Sequence, residues 1–337
     1  MPEAIHPRIP PVPHGGGSAN GLDFSVNSNP FGPNPVLLAA ARAADVSRYP
    51  QAQHLGTRRI LADWHGLETE HVTLGVGASE LLYRICRAYL APGSQVISVG
   101  PAFGEFARAC QVEGARLNTL NLEVESALAA LETSRPTLTL VSLCRPHNPL
   151  GTSWPLSEVQ TLADACTQLG ALLILDEAYL PLAPDVQSLN HPAVIRLRSP
   201  GKAHGVVGLR LAYALSSEKV AVELQNLAPA WAIPAPTLAA LEALPQAQGW
   251  LDETLPRWQG EATWLAGGLA ELTEVQHVGV PFFLARLSAK QVKRLAERGF
   301  FMRDCTSYSL SGWARLSARR REDNAALLTA LKVELTR

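Results

Sequence analysis

Ala171-Leu172-Leu173-Ile174-Leu175-Asp176-Glu177-Ala178-Tyr179 is five apolar residues followed by two carboxylates. An apolar run without alternation reads as a strand buried on both faces, as in a parallel sheet covered by helices. Asp176 then stands at the carboxyl end of its strand, where ligands of such sheets bind. A carboxylate there is costly to desolvate unless a cation meets it. A buried arginine or a cationic ring nitrogen of a ligand would serve. Adjacent Asp176 and Glu177 diverge, so they do not read as an acid–base pair.

Working outward, Val96-Ile97-Ser98-Val99, Leu138 to Leu143 and Val194 to Leu197 are similar short runs, and Thr73 opens the alternation. Helical stretches lie between them, such as Glu80 to Leu90 and Leu156 to Leu169. The expected fold is α/β: a mostly parallel central sheet with helices on both faces. After Tyr213 the texture changes to Pro-interrupted, Ala/Leu-rich helices. A long helix is expected from Leu251 to Leu272, a strand over Phe282 to Arg286 and a helix over Lys290 to Arg298. A strand around Gly299 to Arg303 and a helix from Arg321 complete a smaller α+β domain. The expected organisation is an N-terminal arm over 1–40, a large domain over 41–232 and a small one over 233–337. The arm is dense in Gly and Pro (His14-Gly15-Gly16-Gly17, Asn29-Pro30, Gly32-Pro33, Asn34-Pro35), with a helix only from Val36 to Ala44.

Three further strand ends carry chemistry. Gly75-Val76-Gly77-Ala78-Ser79-Glu80 leads into a helix, and free N–H groups at such a start suit an anion. A plain turn capped by Ser79 reads equally well. Asn148, in Arg145-Pro146-His147-Asn148-Pro149, offers a donor at the sheet edge, though Asn-Pro is more often a turn. Lys202 sits in Arg198-Ser199-Pro200-Gly201-Lys202-Ala203-His204-Gly205, with Ser199 and Arg210 flanking it as phosphate donors. Together these describe one cofactor. Pyridoxal 5′-phosphate needs a lysine, a carboxylate for its ring nitrogen and donors for its phosphate.

Composition narrows the rest. Lysine plus arginine number 29 against 30 acidic residues in a chain of 337, so no electrostatic footprint for nucleic acid or membrane is present. Only five of the 29 are lysines: Lys202, Lys219, Lys290, Lys293 and Lys332. The last four lie in polar helical contexts, which leaves Lys202 for lysine chemistry. No apolar run approaches a membrane span, and the N-terminus is not a signal peptide. Five scattered cysteines without CxxC spacing indicate reduced thiols in a cytoplasmic protein, with no metal site.

At Asp176-Glu177-Ala178-Tyr179, Ser199-x-x-Lys202 and Gly208-Leu209-Arg210 the chain resembles the fold-type I pyridoxal-phosphate enzymes, class I/II aminotransferases. It is most similar to the branch of histidinol-phosphate aminotransferase and threonine-phosphate decarboxylase. The resemblance runs from His14-Gly15-Gly16 and Asn27-Ser28-Asn29-Pro30 to Arg315 and Glu322-Asp323-Asn324. It implies that Lys202 forms the Schiff base and moves the Cα proton, and that Asp176 keeps the ring nitrogen protonated. Asn148 and Tyr179 would bond the ring's phenolic oxygen, and Phe103 would stack on the ring. Gly77, Ala78, Ser79, Ser199 and Arg210 would grip the phosphate. Tyr49 would reach the neighbouring site across a homodimer with shared active sites, and Arg303 and Arg315 would bind the substrate's anions. Gly201 departs from the usual hydroxyl residue, Phe103 lacks a hydroxyl, and Arg145 and His147 would add positive charge near the substrate's entry.

The resemblance implies two reactions. An in-plane carboxylate leaves the C–H bond perpendicular to the ring and favours transamination, whereas an unclamped carboxylate can leave as CO₂. The expected function is an aminotransferase, histidinol-phosphate aminotransferase-like, for a phosphorylated or otherwise anionic amino substrate and a keto acid. The alternative is a threonine-phosphate decarboxylase-like enzyme of cobalamin biosynthesis. A non-catalytic regulatory module is more remote, since it needs a DNA-binding domain ahead of a fold that here begins near Met1.

Overall fold

Burial on both faces along the apolar runs builds the central sheet. The computed structural model describes residues 9–16, 20–134 and 137–335. Residues 1–8 and 17–19 of the expected arm lie outside them. Strand β1 (Leu22–Asp23) belongs to the arm. Strands β2 (Val72–Val76), β3 (Gln95–Val99), β4 (Arg116–Leu120), β5 (Leu138–Cys144), β6 (Leu172–Asp176), β7 (Val194–Arg198) and β8 (Leu211–Leu215) follow. They form a seven-stranded sheet in the order β2-β8-β7-β6-β5-β3-β4. Neighbours pair in parallel except at β8, which is antiparallel to β2 and β7.

Successive residues of one strand enter opposite cores. Leu173 and Leu175 pack with Ile97, Val99, Val141 and Leu143 beneath the helices Val124–Thr133 and Leu156–Leu169. Ile174 packs with Val96, Leu140, Ile195 and Leu197 on the other face, against the helix Ala78–Tyr89. Strand topology positions the site. The parallel strands all end at one edge, and antiparallel β8 begins there, so Gly77, Asn148, Asp176, Lys202 and Arg210 come to a single rim.

The small domain holds β9 (Val275–Gln276), β10 (Phe282–Arg286), β11 (Phe300–Phe301), β12 (Arg303–Asp304) and β13 (Trp313–Ser317). Strands β12-β13-β10-β9 make an antiparallel sheet, while β11 pairs in parallel with β1 of the arm. The single strand expected around Gly299 to Arg303 is therefore two. The chain changes partner at Met302, whose side chain is buried in the small-domain core. The helices Gln248–Ala270, Ala289–Glu297 and Arg321–Leu335 flank this sheet. Phe24 is fully buried in the same core, and its carbonyl accepts from Ser317 N at 2.9 Å, which anchors the arm.

The helix Ala235–Glu242 lies past the expected division at 232/233. Its Leu238 and Leu241 nevertheless pack among Leu37, Leu61, Val72 and Tyr213 on the large-domain side. Small-domain packing begins with Leu251 of the following helix. Among the described residues no helix is long and apolar enough to cross a membrane.

Candidate active site

The strand ends enclose a cavity of about 520 Å³ between the two sheets. Lys202, in the β7–β8 loop, donates from Nζ to Ser199 Oγ at 3.3 Å, and its ammonium lies 5.0 Å from the centre of the Tyr179 ring. Burial lowers the Lys202 pKa, opposed first by the carboxylate of Asp176. Burial raises the Asp176 pKa, opposed first by Lys202. Each group is thus the other's main electrostatic partner.

Asp176 Oδ1 accepts from Ala178 N at 3.0 Å. The buried-arginine explanation for this carboxylate does not hold. The arginine goes to fully buried Glu177, whose Oε2 lies 2.8 Å from Arg198 Nε, with Arg196 and Arg145 adding attraction. Of two adjacent carboxylates, one is neutralised by arginine and the other faces the cavity.

On the opposite wall, helix Ala78–Tyr89 begins with Gly77 at its cap position, and Ser79 lies inside the first turn with no side-chain cap bond at the start. The first N–H groups of a helix have no intrahelical acceptor, which leaves them for an anion. Gly77 has φ +84°, and a Cβ there would collide with the Arg210 guanidinium. Glycine therefore allows Arg210 to lie against the turn. Ala78, Ser79, Ser199 and Arg210 all line the cavity, and together with Gly77 they form one cradle.

Asn148 does more than turn the chain. Its Oδ1 accepts from Arg315 Nη1 at 2.6 Å, which joins the large sheet to the small domain and leaves the amide NH₂ as a donor. Arg315 Nη2 also donates to the Ser25 carbonyl. Arg303 and Arg315 are directly opposed across β12 and β13, and both line the cavity. Arg303 Nη2 donates to Ser307 Oγ at 3.0 Å. Phe103 and Tyr179 line it too.

Tyr49 does not reach the cavity of its own chain. It is 81 % exposed and packs at a tilt against Trp231 with ring centres 5.0 Å apart. The arm supplies residues that had no assigned role. His14 crosses the cavity mouth, its Nε2 2.8 Å from Glu105 Oε1. Gly16 N donates to Ser25 Oγ at 3.0 Å. Asn27 is 2 % exposed, lines the cavity, and has neither side-chain polar atom paired within the described residues. The available signal was the two-residue spacing of Ser25 and Asn27, which puts both on one side of an extended segment. Tyr308 was likewise missed.

The expected extra positive charge from Arg145 and His147 is not found. Arg145 is buried and turned away, donating from Nε to the Trp154 carbonyl at 2.8 Å. His147 is buried, and burial lowers its pKa to about 4, so it is neutral near pH 7.

His204 behaves alike. Burial lowers its pKa to about 4, and Asn34 Nδ2 donates to its Nδ1 at 3.0 Å, so the ring accepts there. Both imidazoles are depressed from about 6.5, the unfolded chain binds protons first, and stability is lost as pH falls from 6.5 toward 4. Each contributes a loss of about 1.6 kcal/mol between pH 6.5 and pH 5. Urea unfolding at both values reads this. In His147→Asn the drop should be smaller by about that amount, and an equal drop would refute the assignment.

The family "Aminotransferase class I and II" matches residues 19–331. A histidinol-phosphate aminotransferase of Jannaschia sp. is 30% identical over 94% of this chain and 91% of its own length. The structure of histidinol-phosphate aminotransferase from Sinorhizobium meliloti, in complex with pyridoxal-5′-phosphate, superimposes with a TM-score of 0.86 at 25% identity. It covers 94% of this chain and 91% of that one. L-threonine-O-3-phosphate decarboxylase from Porphyromonas gingivalis shares the fold, with a TM-score of 0.80 at 20% identity over 94% of this chain and 100% of that one. The chain belongs to the class I and II aminotransferase family, with the fold-type I architecture expected.

Proposed function

We propose that the protein is a pyridoxal 5′-phosphate-dependent aminotransferase of the histidinol-phosphate type. Its substrate is a phosphorylated or otherwise anionic amino compound, and a keto acid is the second reactant. The opposition of Arg303 and Arg315 across β12 and β13, lining the same cavity as Lys202, carries this reading. Like charges paired across a ladder repel, and an anion between them turns that repulsion into binding.

The site residues fit the cofactor. Asp176 is a cavity carboxylate with no arginine of its own, and the Gly77–Arg210 cradle suits a phosphate. When bound, the cofactor supplies an electron sink for the bonds at the substrate's Cα. Asp176 would hold the proton of the ring nitrogen, Phe103 would pack on the ring, and Asn148 and Tyr179 would hold its phenolic oxygen. Lys202 would be the residue that anchors the cofactor. Its amine, with a pKa lowered by burial, would be the base for the substrate's Cα proton. The arginines would orient the substrate through its anionic groups.

Tyr49 faces outward with Trp231, which supports its contribution to the cavity of a second copy in a homodimer. The five free cysteines support a cytoplasmic setting.

Histidinol phosphate with 2-oxoglutarate should give keto product, while threonine phosphate should release no CO₂. CO₂ from threonine phosphate without a keto acid would replace this reading by the decarboxylase. Arg303→Gln should raise KM for the phosphorylated substrate about 10–100-fold, the value of a charge-assisted hydrogen bond. An unchanged KM would remove Arg303 from the binding site.

A further inference from the structure

A second cavity, of about 200 Å³, lies under segments 52–54 and 228–233 and shares no lining residue with the first. Arg58, Arg84 and Thr73 line it and are 9 %, 6 % and 1 % exposed. Arg84 is neutralised within its own helix, with Nε 2.8 Å from Glu80 Oε1. Arg58 is not. Its Nε donates to the Val72 carbonyl and its Nη2 to the Thr69 carbonyl, each at 2.9 Å, and among the described residues it makes no ion pair. A desolvated guanidinium hydrogen-bonded to neutral acceptors, with Glu70 attracting it only from beyond ion-pair distance, keeps part of its desolvation cost uncompensated.

Two lining residues, Thr73 and His54, bring orphaned polar atoms. Thr73 Oγ1 and His54 Nδ1 are buried with no hydrogen-bond partner among the described residues. A hydroxyl and an imidazole in its Nδ1–H tautomer both donate readily. The remaining wall is largely apolar (Leu74, Ala228, Pro229, Ile233), which strengthens any ion pair formed inside. Two arginines exclude a cation, and the volume is below that of a drug-sized site.

We propose that this cavity is a second anion site, taking a small oxyanion such as inorganic phosphate or a short carboxylate on Arg58, Thr73 and His54. It is independent of the substrate reading, because its residues are separate from Arg303 and Arg315.

Melting of the holoenzyme with added inorganic phosphate, succinate or sodium chloride, at constant ionic strength, tests it. Phosphate or succinate should raise the midpoint where chloride does not, and the stronger of the two identifies the ligand. Arg303→Gln weakens anion binding in the main cavity and should retain the response. Thr73→Val, nearly isosteric, should weaken the apparent affinity about tenfold in that background, and Arg58→Met should abolish the response. Should Arg58→Met fail to fold, Thr73→Val decides alone. A response lost in Arg303→Gln and unchanged in Thr73→Val would overturn the proposal, as would a response equal to that of chloride.

Discussion

Lys202→Ala should lower turnover roughly 10⁴-fold or more, since it removes both the covalent anchor and the proton carrier. The lysine inventory makes the outcome sharp. Lys219, Lys290, Lys293 and Lys332 are all exposed, so no second amine can substitute. Lys202 alone lies between Asp176, Tyr179 and Ser199, with a pKa that burial lowers. Its replacement leaves the Asp176 carboxylate without its principal cation, so the variant should still take up cofactor noncovalently while failing to retain it. Borohydride treatment followed by peptide mass measurement separates the roles. Wild type should carry the reduced cofactor on the peptide containing Lys202, and the variant on none. Label on any other lysine, or wild-type turnover in the variant, would displace Lys202 from the chemistry.

That lysine could be found in the sequence because its surroundings left few competing uses. The same holds for β6, whose unbroken apolar run has no exposed face to disguise it, and for β5 and β7, whose runs are interrupted only by Thr139, Ser142 and Arg196. Strand β4 was illegible for the opposite reason. Arg116–Leu120 is an edge strand, mostly exposed or half-exposed, and its polar residues give no apolar run. Strand β13 was hidden by Arg315, a buried arginine that reads as an interruption until its partners Asn148 and Ser25 are seen. The arm carries no periodicity, so Ser25 and Asn27 gain meaning only when β1 pairs with β11 and lays them along the cavity. Arg145 and His147 mislead for a related reason. Residue type suggested charge at the substrate's entry, but the direction of a side chain and the cost of desolvation are tertiary properties.

Asp176→Asn should cut turnover about 10²–10³-fold, the scale for removing one preorganised electrostatic partner from a desolvated site. The asparagine keeps the shape, and its amide oxygen can still accept from Ala178 N, so the change isolates charge. Without the carboxylate the ring nitrogen of the bound cofactor has no anion to hold its proton. Cofactor retention should fall as well, because the cation that justified a desolvated carboxylate loses its partner. Stability should change little. In the cofactor-free protein Asp176 is desolvated and paired only with Lys202, whose amine, unlike an arginine, can shed its proton when the carboxylate is lost, so a neutral amide should leave the melting midpoint nearly unchanged. Glu177→Gln provides the contrast. It leaves the half-buried Arg198 without its carboxylate and should lower stability by about 3 kcal/mol. Two adjacent carboxylates, each changed to its amide, should therefore separate cleanly: one loses function and keeps the fold, the other weakens the fold. If Asp176→Asn kept full turnover, or destabilised the cofactor-free protein as much as Glu177→Gln, Asp176 would be a structural ion and the ring-nitrogen assignment would fail.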